Sequence, residues 1–161
     1  MRALEFITEA IPTNSRAPLY HSTRAYRGLQ ILKDKAIRPG RDGHVSLTRD
    51  YNLNYRELGL EEDPHVTFVI DQNKLRQQQR VSPYSYTGTE ITKGSKSYDP
   101  EFLKNRGGRI ESEEHTKLPV PLNTVTGVII NRWELDNDAE GHLQTFIQQC
   151  KQLNIPVTTS E

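Results

Sequence analysis

The segment Leu19-Tyr20-His21-Ser22-Thr23-Arg24-Ala25-Tyr26-Arg27-Gly28-Leu29-Gln30-Ile31-Leu32 changes its period partway along. Pro18-Leu19-Tyr20-His21 makes a short apolar approach into two hydroxyl residues, after which Ala25, Leu29, Leu32 and Ala36 fall at helical spacing on one face. The pattern predicts a strand that opens directly into an amphipathic helix, and Pro39-Gly40 ends the unit. Ser22 or Thr23 is the expected N-cap, because a hydroxyl there accepts a bond from a first-turn N–H. An imidazole and two hydroxyls at a helix N-terminus also offer directed donors and a favourable dipole to an oxygen-rich ligand. A plain helix cap beside a buried histidine fits the same residues, so the local chemistry leaves both readings open.

Downstream, Val45-Ser46-Leu47-Thr48 alternates apolar and hydroxyl side chains, as a strand buried on one face does. Arg49 to Asp63 is polar with little periodicity. His65-Val66-Thr67-Phe68-Val69-Ile70 is the strongest strand signal and stops at Asp71, and Lys74 to Arg80 suits a short helix. Ser82 to Gly108 is rich in Tyr, Ser, Gly and Lys and reads as a long polar loop, a type that is usually functional or mobile. Arg109 to Lys117 reads as a strand broken by Pro119-Val120-Pro121, and Val125 to Ile130 as a core strand. Leu143, Phe146, Ile147, Cys150 and Leu153 mark one face of a helix, followed by an extended end at Ile155-Pro156-Val157. Near the start, Ala3 to Ile11 suits an edge strand or a docked arm. Helices and short strands without regular βαβ alternation predict an α+β architecture rather than a doubly wound sheet. No Gly-x-Gly-x-x-Gly or Walker-type loop is present, so a dinucleotide site would not be Rossmann-like.

The length of 161 residues fits one domain spanning the whole chain. An apolar fraction of 34% and a mean hydropathy of -0.75 predict a thin core with long polar loops. The 21 basic and 21 acidic residues balance, which argues against charge-driven disorder and against a nucleic-acid coat, while leaving room for a local basic patch. One cysteine, Cys150, excludes an intrachain disulfide and suits a reducing compartment. Met1 to Phe6 lacks a signal-peptide apolar run, and no stretch approaches the ~20 apolar residues of a membrane span. A cytoplasmic location is expected. His44, His65, His115 and His142 are dispersed in sequence, so no metal is expected. Cys150 reads as a small core residue and Trp133 as a surface-capping aromatic.

Leu19 to Thr23, Gly28 to Leu32, Ala36-Ile37-Arg38-Pro39 and Val45 to Thr48, taken in that order, resemble the opening of diphtheria-toxin-like ADP-ribosyltransferases. The resemblance is weak in the middle of the chain. It resumes at Glu111-Ser112-Glu113-Glu114 and at Pro121-Leu122 to Ile130, which look like the family's final paired strands. It implies an α+β fold of split mixed and antiparallel sheets with a few flanking helices. It also implies NAD as substrate, bound by Tyr20, His21, Ser22 and Thr23, with His21 on the adenosine ribose. Ser22 stands where the family usually has glycine, and a side chain there is expected to crowd the dinucleotide. Ser46 and Thr48 match the strand that shapes the nicotinamide pocket. Among Tyr51, Tyr55, Tyr84, Tyr86 and Tyr98, Tyr51 or Tyr55 is preferred as the ring that stacks on nicotinamide, because both closely follow that strand.

In the resemblance the catalytic glutamate comes from the acidic cluster, with Glu113 ranked first for its offset to Pro121 and Glu114 next. A carboxylate there opposes the positive charge that grows as the nicotinamide–ribose bond breaks. Glu111 lies two residues upstream on the face of Glu113, where related enzymes engage the acceptor, and period-two geometry puts Glu114 on the other face. The cluster taken by itself is also what a solvated charge run looks like. The function implied is transfer of ADP-ribose to a macromolecular acceptor, protein or nucleic acid, as in small stand-alone bacterial or bacteriophage members. Two alternatives stand beside it: an RNA 2′-phosphotransferase-like enzyme, and a catalytically inactive interaction protein of the same fold.

Overall fold

β-branched and aromatic residues concentrate in short runs, and each run becomes a strand. The computed structural model describes residues 17–49, 64–84, 113–132 and 135–159, with only the main chain of Tyr84 and Glu113. In chain order the elements are β1 (Leu19–Thr23), α1 (Ala25–Asp34), β2 (Ala36–Ile37), β3 (Val45–Thr48), β4 (Val66–Ile70), α2 (Gln72–Gln78) and β5 (Ser82–Tyr84). After them come β6 (Glu113–Thr116), β7 (Val120–Pro121), a 3-10 turn (Leu122–Thr124), β8 (Val125–Ile130), α3 (Asn137–Gln152) and β9 (Val157–Thr159). Among these residues a seven-stranded sheet runs β5-β6-β3-β1-β4-β8-β9, and β2 and β7 form a second sheet. Neighbouring strands are antiparallel except β8 and β9, which are parallel.

One sheet face carries the core. Leu19, Leu47, Val66, Phe68, Ile70, Val128 and Ile130 are buried there beneath the helices. Phe68 meets Phe146 of α3 edge to face, with ring centroids 5.8 Å apart at 89°. Gly28 lets α1 close on this contact, since a Cβ there would lie 3.0 Å from both Phe146 Cε2 and Val66 Cγ2. α3 starts where the Asp136 carboxylate accepts from Ala139 N at 2.7 Å, and it buries Leu143, Phe146 and Cys150. No helix among the described residues is long and apolar enough to cross a membrane.

Several local expectations change. Thr23 is still strand, paired with Val66, so the N-cap position falls on Arg24 rather than on Ser22 or Thr23. His65 Nδ1 accepts from the first helical amide, Ala25 N, at 3.4 Å. α1 stops at Asp34 because Lys35 takes the left-handed conformation with φ 56, and this turns Ala36 out of the helical row into β2. Val120-Pro121 does more than interrupt: it pairs with Ala36-Ile37 as β7. Ser82 to Tyr84, the start of the expected loop, is a strand beside β6. The short helix begins at Gln72, where Asp71 Oδ1 accepts from Lys74 N, rather than at Lys74. Leu153 lies past the end of α3 and is 41% exposed. Trp133, the Ala3 to Ile11 segment and most of the expected polar loop lie outside the described residues.

Candidate functional site

β1 is central, with β3 on one side and β4 on the other, yet the two seams differ. All five residues of β1 are in register with β4. Toward β3, among the described residues, the register rests on one pair, Tyr20↔Thr48. Past that pair a side chain bridges the seam: His21 Nδ1 lies 2.9 Å from the Ser46 carbonyl oxygen. A carbonyl only accepts, so Nδ1 carries the proton. Burial pushes the His21 pKa below its ordinary 6.5, more than the hydrogen bond to Ser46 raises it. The ring is therefore neutral near pH 7, and its Nε2 has the lone pair that accepts a bond from a hydroxyl.

Tyr20, Ser22 and Thr23 are half-buried; strand alternation sets Thr23 on the face of His21 and sets Tyr20 and Ser22 on the other. The Ser22 hydroxyl is 2.8 Å from Thr67 Oγ1 on β4, so it is turned sideways along the sheet. Thr23 contributes its carbonyl, which accepts from His65 N at 3.0 Å. Ser46 is exposed and Thr48 is buried at the seam. Tyr51, Tyr55 and Glu111 lie outside the described residues.

β6 brings the acidic cluster to β3 in a fixed register, with Thr48↔Glu113, Leu47↔Glu114 and Ser46↔His115. Paired residues share a face, so Glu113 and His115 lie with Thr48 and Ser46, while Glu114 lies with Leu47 on the core side. Glu114 is fully buried. Its Oε1 accepts from Arg49 Nε at 2.9 Å, and Arg76 stands 3.9 Å from its Oε2. Gln72 ties the group together, accepting from Arg49 and Arg76 and donating to the Ala17 carbonyl. Arg49 had no mark in the sequence beyond its place in a polar stretch.

Two further residues at the site were missed at the level of sequence. His115 Nε2 is 3.2 Å from Ser46 Oγ, and the His115 ring lies 5.2 Å from that of His44. Period-two counting from Glu113 was the available signal for His115. Thr67 was visible as a polar interruption between Val66 and Phe68. Thus His21 meets the Ser46 main chain and His115 its hydroxyl, with the His44 ring beside that of His115. Among the described residues no group of three or more His, Cys, Asp or Glu is placed to hold a metal ion.

The chain matches no protein-family model and no curated protein. Two solved structures are similar to it. Thermus sp. 2.9 DarT in complex with NAD+ aligns with a TM-score of 0.56 at 9% identity, over 92% of this chain and 97% of that one. Thermus sp. 2.9 DarT in complex with carba-NAD+ gives a TM-score of 0.55 at 9% identity, over 91% and 96%. At this identity the likeness concerns the backbone and not the chemistry of individual side chains. The chain thus shares the α+β fold of these two DarT structures, with a seven-stranded sheet and a second, two-stranded one among the described residues.

Proposed function

We propose that the protein is an NAD-dependent ADP-ribosyltransferase that moves ADP-ribose from NAD to a macromolecular acceptor and releases nicotinamide. The observation that carries this reading is His21, a neutral imidazole held across the β1–β3 seam by the Ser46 carbonyl, in a fold shared with NAD-bound structures. Its Nε2 is suited to accept from a ribose hydroxyl. Tyr20, Ser22 and Thr23 on β1 and Ser46 and Thr48 on β3 would line the same dinucleotide site, with Tyr51 or Tyr55 against the nicotinamide.

In the reaction the C1′–N bond to nicotinamide breaks and C1′ bonds to an acceptor atom, which gives up its proton. Positive charge grows on the ribose as the bond lengthens, and a carboxylate opposite it lowers the barrier electrostatically. Glu113 is the first candidate for that carboxylate, because β6 sets it in register with Thr48 at the seam. Glu111 shares its parity and would face the acceptor. Glu114, buried between Arg49 and Arg76, is the remaining candidate from the cluster.

The test is incubation of the protein with labelled NAD and a cell lysate, comparing wild type with Glu113→Ala, Glu114→Ala and His21→Ala. Label transfer lost in a folded glutamate variant supports the reading and identifies the carboxylate. Absence of NAD binding, NAD consumption and label transfer in the wild type refutes it.

A further inference from the structure

On the polar face of the sheet, two serines flank the seam. Counting two residues from Tyr20↔Thr48 along antiparallel strands brings Ser22 of β1 level with Ser46 of β3, on the same face as Tyr20 and Thr48. Were the two strands paired there, the Cβ atoms would stand about 5 Å apart, close enough for the two hydroxyls to bond and draw the strands together. Each hydroxyl is instead engaged on its outer side. Ser22 Oγ lies 2.8 Å from Thr67 Oγ1, its register partner on β4. Ser46 Oγ lies 3.2 Å from His115 Nε2, its register partner on β6.

We propose that Thr67 and His115 are positioning residues of the dinucleotide site, drawing the Ser22 and Ser46 hydroxyls outward so that the seam beside His21 stays open. The proposal rests on the reading of this seam as the NAD site. It gives the Ser22 hydroxyl a fixed direction, because Thr67 holds it along the sheet. Neither residue need touch the substrate.

The experiment is a mutant cycle on the full-length protein, reading KM and kcat for nicotinamide release from NAD together with NAD affinity by titration. Valine replaces threonine with nearly the same shape and suits a strand, so Thr67→Val is expected to fold. It should raise the NAD KM by roughly fivefold or more, the size of one lost hydrogen bond, with a smaller effect on kcat. In a Ser22→Gly background the same substitution should leave KM unchanged, because no hydroxyl remains to restrain. His115→Leu should likewise raise KM with Ser46 present and have no effect in Ser46→Ala. Equal effects in both backgrounds would mean that the residues only pack, and would overturn the proposal. So would an unchanged KM in Thr67→Val and His115→Leu. A wild-type protein that neither binds nor consumes NAD overturns the functional reading as well, whereas NAD turnover indifferent to these variants overturns this proposal alone.

Discussion

Arg49 Nε donates to Glu114 Oε1 at 2.9 Å, with the two side chains 1% and 0% exposed. Glu114 thus serves the packing of β3 against β6 and α2, whatever else it does, since Gln72 of α2 accepts from the same guanidinium at 2.9 Å. Breaking one side of a buried ion pair typically costs about 3–5 kcal/mol. Glu114→Gln is therefore expected to lower the urea midpoint substantially. An unchanged midpoint would remove the ion pair from the account of stability. Loss of label transfer in this variant is interpretable only on protein shown to be folded.

His21 sets a pH dependence whose direction follows from its lowered pKa. The unfolded chain takes up the proton near the ordinary value of 6.5, whereas the folded ring does so only at lower pH. Between those values the unfolded state binds more protons, so stability rises with pH. The contribution is fully present above 6.5 and is lost as pH falls from there toward the folded value. Wild type should lose more melting temperature than His21→Gln between about pH 7.5 and 5.5. Parallel melting curves for the two proteins across that range would contradict the lowered value.

Gly28→Ala tests the closeness of α1 to its neighbours. Alanine favours the helix by about 1 kcal/mol, but overpacking a filled core costs about 1–3 kcal/mol. The new Cβ would sit 3.0 Å from Phe146 and Val66, both buried, so packing outweighs propensity. A net loss of about 1 kcal/mol corresponds to a drop of roughly 2–4 °C for a chain of this size. A rise in melting temperature would show that α1 moves away freely.

Cys150 is fully enclosed by the core, and burial pushes its thiol up to about 11. Thiolate is the reactive form, so alkylation at mild pH should be slow in the native protein and fast in denaturant. Prompt labelling of native protein, followed by mass spectrometry, would contradict the burial of this helix face.

The elements legible in the sequence were those whose signal is local. Leu143, Phe146 and Cys150 mark the buried face of α3 by spacing, and the apolar runs of β4 and β8 read directly as strands. The α+β class with split sheets followed from these and from the family-like opening, and the structure has it. What escaped depends on partners distant in the chain. Ser22 looks like a cap until Thr67, 45 residues away, takes its hydroxyl. Arg49 looks like a solvated charge until Glu114, 65 residues away, meets it in the core. The helical phase that carries on to Ala36 gave no hint that Lys35 turns left-handed, because a lysine has no preference that announces it.

The small β2–β7 sheet has a mechanical meaning. β1 continues through α1 into β2, and β6 continues into β7, so Ala36↔Pro121 and Ile37↔Val120 couple the strands on the two sides of the seam a second time. Together with Tyr20↔Thr48 and the His21–Ser46 bond, this pairing ties the β1 and β3 sides of the seam to each other from outside the main sheet. Substitutions at Ile37 or Val120, both fully or almost fully buried, would therefore act on the seam through the β2–β7 pairing, at a distance from the residues beside His21.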